Sequence, residues 1–150
     1  MARIVVDTNI IARAVALPHG LAWELFQRSQ DDAHLLCTST YMLAELDRVL
    51  RYPKLRKMHG LSDLEIEEFV QSVQRVSLVV ELGSEKIASV SRDLDDDPII
   101  ETAIRAKVSY LCSNDLDLHA TEVVEHCRQY DIAVVTNRQI MNIFRKSPPP

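Results

Sequence analysis

Hydrophobic residues fall in five short continuous runs: RIVVD at 3–7, AHLLCT at 33–38, SLVVEL at 77–82, VSYLCS at 108–113 and IAVVT at 132–136. Apolar residues follow one another without polar alternation, as in strands covered on both faces. Segments with helical spacing lie between them, at 21–30, 41–52, 63–76, 98–107 and 121–130, with a last one at 138–146. Strands alternating with helices predict an α/β fold of three layers, α/β/α, around a central parallel sheet of about five strands. Punctuation sets the boundaries. Pro53 ends the helix that carries Glu45, Leu61-Ser62-Asp63 opens the next, and Pro98 sits in the first turn of the helix after Asp97.

Length and composition add limits. A chain of 150 residues, 47% hydrophobic and 26% charged, suits one globular domain, here 1–146, followed by the proline-rich tail 147–150, which is expected to be disordered. The opening MARIVVDTNI lacks the long apolar segment of a signal peptide, and no later stretch is apolar enough to cross a membrane, so the expectation is a cytoplasmic protein without membrane contact. Cys37, Cys112 and Cys127 form no Cys-x-x-Cys pair; the first two lie in apolar runs, so core thiols in a reducing compartment are expected. With three glycines there is no phosphate-cradling Gly-rich loop, which disfavours nucleotide-binding enzymes of the P-loop and dinucleotide types. The net charge of -5 argues against broad attraction to nucleic acid, so any such contact must be local.

Against that background the acids stand out. Asp7 closes the first apolar run and Asp115 follows the fourth, both at carboxyl ends, where open parallel sheets bind ligands if strand order reverses there. An order of 3-2-1-4-5 would make the first and fourth strands neighbours and set Asp7 and Asp115 across one crevice. Asp97, opening the helix that leads into the fourth strand, reaches the same rim. Glu45 sits about two turns into the helix beginning near Ser39 or Thr40, beside the first strand. Carboxylates crowded together repel unless some are protonated or a cation lies between them. Oxygen donors without adjacent Cys or His favour Mg2+ or Mn2+ over softer metals.

Each acid also has a structural reading. Asp7 could cap a helix beginning at Thr8, Asp97 reads equally as a helix N-cap, and Asp96 could be the ligand in its place. Glu45 could be an exposed helix residue, and Asp115 or Asp117 a turn former. His19, His34, His59, His119 and His126 show no ligand spacing, although His119 lies near the crevice loop.

In order along the chain, Val6-Asp7-Thr8-Asn9, Tyr41-Met42-Leu43-Ala44-Glu45-Leu46, Asp95-Asp96-Asp97-Pro98-Ile99-Ile100-Glu101-Thr102-Ala103 and Ser113-Asn114-Asp115-Leu116-Asp117-Leu118 resemble the four motifs of the PIN-domain family. The resemblance is to its branch of VapC-like toxins and runs from Ile4 to about Phe144. Residues 49–55 (VLRYPKL) also resemble a helix-ending segment of that branch. Two departures are visible: Ser113-Asn114-Asp115 stands where relatives read Thr-Gly-Asp, and Asn137 replaces a proline before the last helix.

The resemblance implies a PIN-like fold and a metal-dependent endoribonuclease, often dimeric, acting on RNA and held in check by a small antitoxin protein. It assigns metal binding and catalysis to Asp7, Glu45, Asp97 and Asp115. Asp117 would be auxiliary, and Thr8, Asn9 and Ser113 would orient the acids or water. The densest basic stretch, Arg48, Arg51, Lys54, Arg56 and Lys57, follows Glu45 and could guide RNA phosphates; its other readings are a solvated helix edge or an antitoxin contact. Trp23 and Phe26, three apart, are assigned to the core or a dimer interface rather than to base stacking.

Rival functions have weaker support. A receiver-like, phosphoryl-accepting domain would need a lysine after the fifth strand, where VVTNRQ has none. An aspartyl phosphatase usually carries a second Asp where this chain has Asn9. A catalytically silent PIN-like RNA-binding or assembly module would be expected to have lost one or more of the acids, and all four are present.

Overall fold

The structure, a computed structural model, describes residues 2–31, 33–83 and 97–146, with Asp97 described by its backbone alone. Asp96 and the tail 147–150 lie outside the described residues. Five strands, β1 (Ala2–Val6), β2 (His34–Ser39), β3 (Leu78–Val80), β4 (Tyr110–Cys112) and β5 (Ala133–Val135), form one parallel sheet. Their order is β3-β2-β1-β4-β5. All five coincide with the apolar runs.

The continuous character of those runs is explained by the layers. In β1, Ile4 and Val6 join one core with Leu36 and Cys112, while Val5 joins the opposite core with Cys37 and Leu111. The first core is closed by α1 (Thr8–Ala16), α2 (Leu21–Arg28), α3 (Thr40–Leu50), α5 (Asp63–Val76) and α8 (Asn137–Lys146). The second is closed by α6 (Asp97–Arg105) and α7 (Thr121–Arg128). Burial on both faces leaves no room for a charged residue in the buried stretches of the central strands, so the carboxylates stand at the strand ends.

Two helices lie outside the segments with helical spacing. The segment after Asp7 forms α1, which buries Thr8, Ile10, Ile11, Ala12, Ala14 and Ala16. The reading of Asp7 as the cap of a helix beginning at Thr8 holds: Asn9 and Arg13, four apart, mark the exposed side, and only one residue separates the helix from β1. Pro53 does not terminate the Glu45 helix: α3 stops at Leu50, and Pro53 is the first residue of a separate helix, α4 (Pro53–His59). Proline suits that position because its missing N–H would have had no intrahelical partner. Gly60 closes α4 at φ 67, a left-handed conformation that an L side chain adopts only with strain.

The other boundaries follow the reading. Ser62 caps α5 in a reciprocal box with Glu65, and Ser39 caps α3 by accepting from the Met42 N–H. Phe26 is buried and lies 6.4 Å from Trp23 and 5.9 Å from Phe69, centroid to centroid, so the early aromatic pair packs in the core. Cys37, Cys112 and Cys127 are buried free thiols. No helix among the described residues is long and apolar enough to cross a membrane.

Candidate active site

The sheet order places the reversal between β1 and β4, so the chain leaves both strands at one edge. Backbone pairing continues past the strands, with the Asp7 N–H donating to the Cys112 carbonyl at 2.9 Å and the Ser113 N–H to the Val135 carbonyl at 2.9 Å. This holds Asp7 and the Ser113-Asn114-Asp115 loop side by side. Asp7 then caps α1, its Oδ1 accepting from the Asn9 N–H at 3.4 Å. The capping role and the crevice role expected of Asp7 are therefore compatible.

Ser113 organises the pair of aspartates. Wholly buried, its hydroxyl donates to Asp7 Oδ2 at 2.6 Å and accepts from the Asp115 N–H at 3.0 Å. Asp115 in turn caps a short 3-10 turn, Leu116–His119, by accepting from the Asp117 N–H at 3.0 Å. His119 Nε2, as the N–H donor, meets the Ser113 carbonyl at 2.7 Å. A contact of that kind is orienting and leaves the imidazole no role as a ligand through the same nitrogen.

Asp7, Thr8, Asn9, Glu45 and Asp115 line one cleft of about 250 Å3, with Met42, Arg48, Val49, Tyr52 and Ile99. Three of the four expected acids thus share a cavity. Asp97 starts the helix on its far side: Ile99 of α6 lines the cleft, and Thr102 Oγ1 lies 2.8 Å from Ser39 Oγ and 2.7 Å from the Pro98 carbonyl. That buried contact fastens the first turn of α6, which begins at Asp97, to the N-terminus of α3, which carries Glu45. Asp117 is half-buried on the 3-10 turn and is not among the residues lining the cleft.

Burial pushes the Asp7 carboxyl above its usual range; the Ser113 hydroxyl and the Asn9 N–H pull it back, and the charge of Asp115 pushes it up again. Burial, reinforced by the Asp7 charge, pushes the Cys112 thiol up to about 12, so that thiol stays neutral.

The donor set fits a hard divalent cation: carboxylate oxygens, no sulfur, no free imidazole, and a half-buried aspartate whose ionisation a cation would favour. Among the described residues no group of three His, Cys, Asp or Glu side chains is drawn tightly enough to hold an ion alone.

The basic stretch divides between two helices. Arg51 pairs with Asp47 (3.1 Å), Asp63 (3.0 Å) and Glu67 (3.9 Å), and Arg56 pairs with Asp63, tying α3 and α4 to α5. These two arginines are structural. Arg48 lines the acidic cleft, Lys54 lines an adjoining groove, and Lys57 is exposed on α4. Sequence reasoning missed Arg13, which α1 carries to the wall of that groove; with α1 read only from the cap role of Asp7, its direction could not be read.

A family model described as PIN domain matches residues 3–117. An uncharacterized protein of Methanocaldococcus jannaschii is 27% identical over 116 residues, covering 77% of this chain and 72% of that one. No solved structure matches significantly.

Proposed function

The chain belongs to the PIN-domain family, a family of nuclease-type domains, and on that premise we propose that it is a metal-dependent endoribonuclease. The observation that carries the reading is the cleft at the β1/β4 reversal, where Asp7, Glu45 and Asp115 line one cavity and Ser113 braces two of them. Asp7, Glu45, Asp97 and Asp115 are the residues that would hold Mg2+ or Mn2+, with Asp117 as an auxiliary. Such an ion would supply charge to polarise the scissile phosphate and to lower the pKa of an attacking water.

The protein's own contribution is orientation and exclusion. The Ser113 hydroxyl fixes one Asp7 oxygen and leaves the rest of the carboxylate toward the cleft. Thr8 is buried behind it, and the Asn9 side chain is exposed at the mouth, where it can meet phosphate or water. Met42, Val49 and Ile99 give the cleft an apolar wall that strengthens charge interactions within it. Arg48 supplies a cation at the rim for a phosphate oxygen. Products of in-line attack would carry 5'-phosphate and 3'-hydroxyl ends. The fuller reading is a cytoplasmic VapC-like toxin that works as a homodimer and is silenced by a small antitoxin.

The test is cleavage of a mixed single-stranded RNA pool with Mg2+ or Mn2+, beside chelator and Asp7→Asn controls. Cleavage should require the ion and fall at least about 100-fold in Asp7→Asn, the scale of losing a transition-state charge contact. Cleavage that ignores the chelator, or full activity in Asp7→Asn, would sink the mechanism.

A further inference from the structure

The acidic cleft is not isolated. It shares Asp7, Asn9 and Asp115 with a groove of about 640 Å3, and that groove shares Arg13, Leu17, Ala22, Asn114 and Asn137 with a pocket of about 330 Å3. The three cavities form one trough along the carboxyl edge of the sheet. Its charge changes along the way: carboxylates line the first two cavities, whereas Arg13 and Arg138 are the charged residues of the last, and no acid lines it. Among the described residues neither arginine takes part in an ion pair, in contrast to Arg51 and Arg56.

We infer that this end pocket is a nucleotide subsite for single-stranded RNA, occupied by a residue flanking the phosphodiester at the acids. Arg13 and Arg138 would hold its phosphate, and Leu17 and Leu21, both exposed, would give its base an apolar surface. The inference rests on the ribonuclease reading for the identity of the strand.

Three features make the pocket polar in the right sense. The N-terminus of α8, ten residues long, opens on it, and its first N–H is taken by Asn114 Oδ1 at 2.9 Å. That bond commits the carbonyl of Asn114 and leaves its exposed amide NH2 as a donor. Asn137, only 7% exposed, lines the same wall, and its Oδ1 has no hydrogen-bond partner. A buried acceptor without a donor is rare, and a ribose hydroxyl or a base amine can supply one after a small rotation of the amide. A size of about 330 Å3 is at the low end of small-molecule pockets, about 300–1,000 Å3, and suits one nucleotide rather than a folded partner.

An acidic protein segment is the competing occupant for two arginines. Continuity with the acidic cleft favours RNA, because one strand can place a phosphodiester at a cation held by the acids and an adjacent phosphate at Arg13, whereas an acidic peptide offers the acids no scissile phosphodiester.

The experiment measures binding of a labelled 12-nucleotide single-stranded RNA by the full chain in chelator, across a salt series, for wild type, Arg13→Gln/Arg138→Gln and Lys107→Gln. Lys107 follows α6 at the opposite end of β4 and serves as the control. The double variant should lose about 0.7 from the slope of log affinity against log salt, the value for one neutralised phosphate of a single strand, and Lys107→Gln should lose nothing. With Mn2+ present, KM for the 12-mer should rise in the double variant while turnover of a dinucleotide stays equal. An unchanged slope in the double variant overturns the subsite, even if the RNA is cleaved normally. A lost slope in a chain that never cleaves RNA upholds the subsite and rejects the nuclease reading instead. Loss of polyglutamate binding with RNA binding untouched overturns it in favour of a protein partner.

Discussion

Ser113→Ala isolates the device that holds the acids. The substitution removes the O–H that donates to Asp7 Oδ2 at 2.6 Å and the oxygen that accepts from the Asp115 N–H at 3.0 Å. A hydrogen bond to a charged group contributes about 1.5–3 kcal/mol, and one between neutral groups about 0.5–1.5 kcal/mol. Asp7 has its folded-state pKa raised, chiefly by burial, so the folded chain binds that proton more tightly than the unfolded chain, whose carboxyl titrates near 3.8. Folding stability from this group therefore increases as pH falls through the folded-state pKa toward 3.8. The Ser113 hydroxyl opposes that shift by favouring the ionised form, and its removal raises the Asp7 pKa further. The deficit of Ser113→Ala against wild type should thus be about 1.5–3 kcal/mol at neutral pH and shrink to the neutral-bond value once Asp7 is protonated. At about 2.1 cal/mol/K per residue the neutral-pH deficit is roughly 5–10 °C in Tm for a chain this long. Urea unfolding at several pH values in chelator measures it. A deficit of the same size with Asp7 ionised and with Asp7 protonated would refute the charge argument and leave Ser113 a packing residue.

Three further outcomes are expected. Thr102→Val keeps shape but removes the buried hydroxyl between Ser39 and the Pro98 carbonyl; stability should fall by about 1–3 kcal/mol, and metal affinity, read by calorimetry, should fall with it. Arg51→Ala should leave the salt slope of RNA binding unchanged because that side chain is spent on Asp47, Asp63 and Glu67, whereas Lys54→Ala should lower the slope by about 0.7. Cys112, its thiol pushed up to about 12, should resist a thiol reagent at pH 8 in the native protein and react at once in urea; rapid native labelling would contradict the burial.

How far the sequence could be read depended on which periodicity survived. The strands were legible because burial on both faces writes itself as unbroken apolar runs, and the helices α2, α3 and α5–α8 because each leaves a polar face. The helix α1 was legible only through the cap reading of Asp7, since a single residue separates it from β1 and Ile10, Ile11, Ala12 and Ala14 look like a continuation of that strand. Pro53 misled for a related reason: the same residue that stops one helix can open another, and only the Tyr52–Pro53 backbone decides. Asp7 and Asp115 were singled out because carboxylates at the ends of buried runs are costly without a purpose, whereas Glu45, inside a helix, rested mainly on the family resemblance of its motif. The basic residues were harder. Arg48, Arg51, Lys54, Arg56 and Lys57 are adjacent in sequence, but partners on α3 and α5 absorb two of them, and no spacing rule foretells that.

The same geometry accounts for how an acidic chain could hold RNA at all. A net charge of -5 is not spread evenly: Asp47, Asp63 and Glu67 are neutralised on the outer edge by Arg51 and Arg56, away from the trough. Within the trough, Asp7 is braced by the Ser113 hydroxyl, which fixes the direction of its carboxylate. Arg13, Lys54 and Arg138, which take part in no ion pair among the described residues, then remain as positive charge along the path that leads from the acids. Attraction of RNA and discrimination of its scissile phosphate are thereby assigned to different residues. Loss of an acid should abolish cleavage while preserving RNA binding, and loss of a trough cation should weaken RNA binding and raise KM while the chemical step is kept.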